Sequence, residues 1–278
     1  QRLMDELERV NAELTEQALQ LEASKKNAED FIGILGHEIR NPLATMKCVS
    51  AELEHMPFNA DAQKLLRIQS TALSTALDTL NNILDLKKME LSALQLEDID
   101  FELQQVVREV RDFVSVQCRS KRVTLKAEID PAIPLSVMGD PLRLKQVLMN
   151  LMNNAVKFTR AGSEVELTIV VKEAGAGQVT LAFAVSDCGD GIAPNMIRKL
   201  LEPYTQADSS IARQFGGTGL GLNIASRIIM LMGGELRIES TVGEGTSCQF
   251  ELTFKYLNDK KIDPLKYAEF DVGLQLPS

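Results

Sequence analysis

The stretch FIGILGHEIRNPLATM, residues 31–46, carries His37, one of only two histidines in the chain. Apolar residues recur at steps of three and four through this stretch and upstream of it: Met4, Leu7, Leu14, Ala18, Leu21, Ala28, Ile32, Leu35 and Ile39. A seam of this kind predicts a coiled coil rather than a lone amphipathic helix. In that register His37 falls at the f position, which points away from the seam. Pro42 is expected to bend or break the helix, because it removes a backbone donor and crowds the preceding turn.

A histidine beside apolar residues is more often structural than functional. Here, however, the imidazole is expected on the outer face and is followed by Glu38, Arg40 and Asn41. A solvated histidine has no packing reason to keep such neighbours. The stretch therefore favours a functional histidine without settling its role.

Composition limits the possible classes of protein. The chain has 278 residues, of which 45% are hydrophobic, and a net charge of −9, which disfavours nucleic-acid binding. No apolar run approaches a membrane span and no signal peptide is visible, so we expect a cytoplasmic fragment without membrane contact. It begins within a heptad, as expected of a piece of a longer protein. The cysteines are widely spaced, which predicts reduced thiols rather than a metal site: Cys48, Cys118, Cys188 and Cys248.

Four segments follow from the change of pattern along the chain. Residues 1–30 are predicted to form a coiled-coil signalling helix, and residues 31–91 a helical hairpin. The second helix, from about residue 61 to 90, has apolar positions over a wide arc, which two helices cannot bury alone. A second copy would close a four-helix bundle, so we expect a homodimer through residues 1–90.

Residues 94–256 are predicted to form a separate domain, a mixed-sheet α/β sandwich with helices on one face. Within it, Asp140 and Pro141 predict the start of a helix that runs to about Phe158. Strands are expected over residues 164–171 and 180–187, joined by a glycine-rich connection. Residues 257–278 have no clear period and are expected to be a tail or linker.

Three motifs in this domain suggest a nucleotide site. Asn150, Asn154 and Lys157 share one face of the predicted helix, where amide oxygens suit Mg²⁺ and an ammonium suits phosphate, although a solvated face is the plainer alternative. DCGDGI, residues 187–192, follows a strand, and its glycines would let the backbone pass close to a flat ligand. GGTGLGL, residues 216–222, opens a helix whose N-terminal amides could hold an anion; it is neither a Walker A motif nor a Rossmann turn.

HEIRNPL, NLMNNAVKFT, DCGDGI and GGTGLGL, in this order and spacing, resemble the core of a sensor histidine kinase over about residues 25–255. The resemblance implies a dimeric phosphotransfer hairpin followed by a Bergerat-type ATP-binding sandwich like that of DNA gyrase B, Hsp90 and MutL. By resemblance His37 accepts phosphate, Glu38 orients or deprotonates it, and Asn41 positions water for a phosphatase reaction. ATP and Mg²⁺ are the implied cofactors, Asn154 the metal ligand, and a response-regulator receiver domain the implied partner.

The same resemblance implies the remaining nucleotide contacts. Asp187 would read the adenine amine, with Gly189 and Gly191 shaping the pocket and Thr246 behind it. Asn150 and Lys157 would lie near the metal and the phosphates. The other expected contacts lie at the end of the helix, in the DCGDGI loop, in the lid or at the helix that follows the lid: Phe158, Ile192, Tyr204, Arg213, Gly217, Thr218, Gly219, Leu220, Gly221 and Leu222.

Two alternatives remain open. Leu201 and Tyr204 stand where the lid of the family usually has phenylalanines, so a dimeric scaffold with a degenerate nucleotide site is one of them. The other is an ATPase on the same sandwich, which would use a carboxylate four residues before the metal-binding Asn. Asn150 occupies that place and cannot take a proton from water, which favours the kinase.

Overall fold

The computed structural model describes residues 39–51, 53, 59–91, 94–175, 177–200 and 221–256. The chain divides into two compact units, Gln1–Gln95 and Leu96–Ser278, and each is described by itself. The predicted coiled coil over residues 1–30, the residues His37 and Glu38, and the tail 257–278 lie outside the described residues. Within the described ranges, no helix combines the length and the apolar character that a membrane crossing requires.

The first unit contains two helices, α1 over residues 39–51 and α2 over Ala60–Glu90. Asn59 caps α2, because its side-chain oxygen accepts a hydrogen bond from the backbone N–H of Ala62 at 2.8 Å. The Arg40 guanidinium donates two hydrogen bonds to Oδ1 of Asn81, at 2.8 and 3.1 Å, and so joins the helices. The chain is helical on both sides of Pro42, so the break considered at this proline does not occur.

The second unit is built on a seven-stranded mixed sheet with the order β1-β3-β7-β5-β4-β2, in which β6 also pairs with β7. The β2–β4 pair is parallel and the other pairs are antiparallel. The strands are β1 Ile99–Phe101, β2 Thr124–Ile129, β3 Val137–Gly139, β4 Glu164–Gly175, β5 Gln178–Asp187, β6 Arg237–Thr241 and β7 Gly245–Lys255.

Helices cover one face of this sheet. They are α3 Leu103–Lys121, α4 Pro141–Phe158, α5 Pro194–Leu200 and α6 Gly221–Leu231. α4 lies between α3 and α6 and packs on β4 and β5. Alternate side chains of the strands are buried beneath the helices, and Phe183 stacks on Phe250 with ring centroids 4.7 Å apart. Each fully buried side chain of this size stabilises the fold by about 1.5–3 kcal/mol.

Several predicted boundaries need correction. β4 and β5 extend to Gly175 and Gln178, so the connection predicted to be a loop is largely strand. The short strand β3 was not predicted at all. Between Val171 and Glu173 the register shifts, and the Asp130 carboxylate accepts a hydrogen bond from the backbone N–H of Val171 at 3.2 Å. This bond gives the irregular part of the ladder a partner for its amide.

Candidate functional site

The N-terminus of α4 is fixed by Asp140, which is only 4% exposed. One carboxylate oxygen accepts from the backbone N–H of Arg143 at 2.9 Å, and the other accepts from the backbone N–H of Glu97 at 3.1 Å. Pro141 follows in the first turn, as predicted. The predicted core face is buried: Leu144, Val147, Leu148, Leu151 and Ala155. The helix therefore keeps Asn150, Asn154 and Lys157 off its buried face.

The C-terminus of α4 is held by a cation from α3. The ammonium of Lys121 donates to the backbone carbonyl of Val156 at 2.9 Å and also to that of Lys157. A positive charge at this place satisfies terminal carbonyls and complements the helix dipole. The Lys157 ammonium lies 5.0 Å from the centroid of the Phe158 ring, and burial lowers the pKa of Lys157. A partly desolvated cation at this place would be stabilised further by a phosphate.

Asn150 lies against the first residue of α6. A Cβ atom on Gly221 would come within 3.4 Å of Oδ1 of Asn150, so the glycine allows close approach. Nδ2 of Asn150 is buried and has no hydrogen-bond partner among the described residues. An unsatisfied buried donor costs about 1–3 kcal/mol, so an anionic acceptor next to this amide would be stabilising.

Asp187 ends β5 and begins the DCGDGI loop. Its Oδ1 accepts a hydrogen bond from the backbone N–H of Gly189 at 2.8 Å. Burial raises the pKa of Asp187 above its ordinary value, while hydrogen bonds from the backbone of Gly189 and Thr246 act in the opposite direction. Gly189 also forms an isolated antiparallel bridge with Thr159, directly after α4. The loop is thus anchored to the helix that carries Asn150 and Asn154.

The structure shows why the DCGDGI loop needs glycine at two positions, and this reason was not expected from the sequence. A Cβ on Gly189 would lie 2.6 Å from the Phe158 carbonyl oxygen. Gly191 has a φ of +68°, and a Cβ there would collide with the Thr241 carbonyl oxygen. Both glycines are required by close approach of the protein backbone itself. The turn after β6 completes this packing, because the N–H of Gly243 donates to the carbonyl of Asp190 at 2.8 Å.

One polar residue in this region was missed by the sequence analysis. Ser240 of β6 stands opposite Thr246 of β7, and their hydroxyl oxygens are 2.9 Å apart. The Ser240 hydroxyl also accepts from the backbone N–H of Ile192 at 2.7 Å and donates to the carbonyl of Gly245 at 2.8 Å. The signal was the hydroxyl residue on each side of the turn in STVGEGT, residues 240–246, which a hairpin places side by side.

The structure thus brings together most of the predicted residues that it describes. The loop side of the site contains Phe158, Asp187, Gly189, Gly191, Ile192 and Thr246, and the α6 side contains Asn150 and Gly221. Leu222 is half-buried in α6, and Asn41 lies in the first unit with its side chain exposed. Outside the described residues lie His37, Glu38, Leu201, Tyr204, Arg213, Gly217, Thr218, Gly219 and Leu220.

The polar side chains of α4 suit a magnesium ion that is bound partly by the protein and partly by the phosphates of a nucleotide. In the described part of the chain, no three His, Cys, Asp or Glu side chains form a group that could hold a metal. Asn154 is half-buried and lies one helical turn after Asn150, whose Nδ2 has no hydrogen-bond partner among the described residues. Mg²⁺ commonly keeps waters and substrate phosphates as ligands and needs few groups from the protein, so this set fits.

Two family models match the chain. The His Kinase A (phospho-acceptor) domain matches residues 27–92, and the histidine kinase-, DNA gyrase B- and HSP90-like ATPase matches residues 139–256. The first match covers α1 and α2, and the second covers the strands β4 to β7 together with α4, α5 and α6. Each match therefore lies within one of the two units of the structure.

Sensor kinases are among the similar proteins. Sensor histidine kinase GacS of Pseudomonas protegens is 35% identical over 243 residues, which are 87% of this chain and 26% of that protein. Histidine kinase 5 of Arabidopsis thaliana is 32% identical over 248 residues, with 82% of this chain and 27% of that protein covered. The chain spans about a quarter of the length of these relatives.

A solved structure agrees with the sequence matches. Full-length ShkA, crystallised in complex with AMPPNP, superposes with a TM-score of 0.65 at 28% identity, over 82% of this chain and 46% of that chain. The family resemblance expected from four short motifs is confirmed, and so is the succession of a helical domain and a mixed α/β sandwich. The chain belongs to the histidine kinase family and contains its phospho-acceptor helices and its ATPase-type domain.

Proposed function

We propose that the chain is the catalytic core of a sensor histidine kinase in a two-component system. It phosphorylates His37 with ATP and passes the phosphoryl group to an aspartate of a response-regulator receiver domain. The similar proteins support this proposal, since GacS is named a sensor histidine kinase and ShkA was crystallised with AMPPNP. The order of the two matched domains supports it as well.

The observation that carries the proposal is the carboxamide of Asn150. An ATPase that hydrolyses its nucleotide needs a group near the phosphates that can take a proton from water. Asn150 lies next to the start of α6 but carries an amide, which is not a base. Asn150 therefore cannot activate water for hydrolysis of a nucleotide held there, which favours transfer to another nucleophile, for which His37 is the candidate.

The transfer step needs little from the protein beyond positioning and charge neutralisation. A neutral imidazole nitrogen of His37 attacks the γ-phosphorus, and an N–P bond forms as the bond to the β,γ-bridging oxygen breaks. ADP leaves with that electron pair, and the proton on the second imidazole nitrogen passes to Glu38. Lys157, in the last turn of α4, is the proposed cation that neutralises phosphate charge.

Asp187 and Thr246 supply acceptors for the base of the nucleotide, and Asn154 supplies a ligand for a magnesium ion. The ion would contribute charge neutralisation on the phosphates. Asn41 lies one helical turn after His37 in sequence and has an exposed side chain in α1. It is the proposed residue for orienting water in a reverse, phosphatase reaction.

We propose that the chain acts as a homodimer through the first unit. Large apolar side chains are exposed on both helices of a single copy, including Leu65 at 66%, Ile68 at 57% and Met46 at 52%. Leaving such side chains in water forfeits about 1.5–3 kcal/mol each, so a second copy that buries them would be strongly favoured. A four-helix bundle is the arrangement that achieves this burial.

The test is incubation of the chain with γ-labelled ATP and Mg²⁺, in the wild type and in H37Q. The expected result is a protein-bound label that is acid-labile and base-stable, and that is absent from H37Q. N154A tests the nucleotide site separately, because it should lose the label while leaving His37 in place. A purified receiver domain added to the labelled protein should then acquire the label.

The alternatives give different results in the same assay. Phosphate release that continues in H37Q would identify an ATPase and would contradict the proposal. Tight nucleotide binding without any label would identify a scaffold. Mixed dimers of H37Q and N154A chains test the direction of transfer, because label appears in them only if one subunit phosphorylates the other.

A further inference from the structure

Three polar side chains form a row across the edge of the sheet. Asp187 of β5 pairs with Thr246 of β7, and Thr246 pairs with Ser240 of β6. Directly opposite residues in a sheet project from the same face, so the carboxylate and both hydroxyls share one face. It is the face that carries α4, because Phe183 and Val185, at alternate positions before Asp187, are buried on it.

The hydrogen bonds of Ser240 determine where the hydroxyl protons go. A serine hydroxyl has one proton to donate and two lone pairs to accept with. The carbonyl of Gly245, 2.8 Å away, can only accept, so it takes the Ser240 proton. The backbone N–H of Ile192, at 2.7 Å, can only donate, so it occupies one lone pair.

The remaining bond is the one between the two hydroxyls. Because the Ser240 proton is already used, the 2.9 Å contact with Thr246 requires the Thr246 hydroxyl to donate. Ser240 is then fully satisfied, and Thr246 has no proton left for anything else. The Thr246 hydroxyl can offer only lone pairs to a ligand beside Asp187, whose carboxylate is also an acceptor.

We propose that Ser240 is a positioning residue for nucleobase selection: by taking the Thr246 proton it makes Thr246 a second acceptor beside Asp187, so that the site favours a 6-aminopurine over a 6-oxopurine. The inference rests on the proposed function in that a purine nucleotide binds here. It adds a residue and a physical reason for base choice. A 6-oxo group would face two acceptors with no donor to meet it, whereas an amino group supplies the missing protons.

Replacement of Ser240 by alanine should weaken this selection. In S240A the Thr246 proton is released and can be donated to the oxygen of a 6-oxopurine. The variant also loses the bonds to the N–H of Ile192 and to the carbonyl of Gly245, but these losses affect both nucleotides in the same way. The ratio of the two dissociation constants therefore isolates the effect on Thr246.

The measurement is displacement of N-methylanthraniloyl-ATP from the full chain by ATP and by inosine triphosphate, with Mg²⁺ present. We expect the preference for ATP to fall at least about fivefold in S240A, which is the scale of one hydrogen bond. S240T keeps the hydroxyl and should restore the preference. In a T246V background S240A should change the ratio no further, because Ser240 acts on the base through Thr246.

Ser247 provides a matched control. Its hydroxyl makes a cross-strand contact of 3.0 Å with Ser186 on the opposite face of the same two strands. S247A should therefore keep the wild-type ratio. Thermal melting confirms that each variant is folded, and S240T tests the proposal even if S240A does not fold.

The outcomes distinguish failure of the role proposed for Ser240 from failure of the proposed kinase function. If the wild type binds both nucleotides and S240A keeps its ratio, the role of Ser240 is wrong while the kinase proposal stands. The same conclusion follows if S240T behaves like alanine. If the wild type binds neither nucleotide, the proposed function fails and takes this inference with it.

Discussion

Gly189 lies against the carbonyl oxygen of Phe158, so close that a Cβ atom in its place would come within 2.6 Å of that oxygen. The contact joins the loop that carries Asp187 to the last residue of α4. Both partners are backbone, so neither can move aside as a side chain would. The two halves of the site therefore hold their relative position through a contact that only glycine permits.

Replacement of Gly189 by alanine should disturb this contact. We expect G189A to lose about 1–3 kcal/mol of unfolding free energy, the usual cost of forcing a methyl group into a packed site. Affinity for ATP should fall more than tenfold as the loop moves away from α4. Gly175 is a matched control, because a Cβ there meets nothing within 4 Å. A G189A protein with wild-type affinity would show that the contact has no importance for the site.

We expect Lys121, at the end of α3, to contribute both to the stability of the fold and to the affinity for ATP. K121M removes the ammonium that binds the last carbonyls of α4, and we expect a loss of about 1–2 kcal/mol in urea unfolding. Affinity for ATP should also fall, since Lys157 and Phe158 lie at that end of the helix. K126M is the control, because Lys126 only forms an exposed ion pair with Glu164. Equal effects of the two variants would contradict this account.

We expect Asp187 to be needed for ATP binding but not for the stability of the folded protein at neutral pH. Burial raises the pKa of its carboxyl above 3.8, so ionisation of this carboxyl costs more free energy in the folded protein than in the unfolded chain. Its contribution to stability is present at pH below 3.8 and is lost as pH rises through the folded pKa. At neutral pH D187N should therefore melt no lower than the wild type, yet the rise in Tm on adding ATP should disappear. D112N, at an exposed position, should keep that rise; a lower Tm for D187N without ATP would contradict the argument.

The helices could be predicted from the sequence because their signals are local. Asp140 followed by Pro141 marks the first turn of α4, and the buried positions recur every three or four residues to its end. β3 could not be predicted in this way. It has three residues, and it is a strand because it pairs with β1 and with Lys255 at the far end of the domain. Such pairing is invisible in a short window of sequence.

The same distinction applies to the site. Asp187 and Gly189 could be predicted because two residues of spacing bring them into one turn. Ser240 could not, since its neighbours Thr246 and Ile192 meet it only through the register of the β6–β7 hairpin and through tertiary packing. The expected position of His37 on the outer face of its helix lies outside the described residues and stays a prediction.

Cys248 should make the protein less stable in alkali. Desolvation of its thiol within the sheet, together with the nearby Asp187 carboxylate, raises the pKa of Cys248 from 9.0 to about 12. Above pH 9 the thiol of the unfolded chain ionises while the folded protein keeps its proton, so the free energy of unfolding falls as pH rises towards 12. The slope from this one group is at most about 1.4 kcal/mol per pH unit. In urea unfolding from pH ~9 to ~10, the free energy of unfolding of C248A should therefore fall less steeply with pH than that of the wild type. From pH ~6 to ~8, where the thiol ionises in neither state, the two proteins should show the same dependence on pH. Parallel curves for the two proteins above pH ~9 would show that the Cys248 thiol is not desolvated in solution.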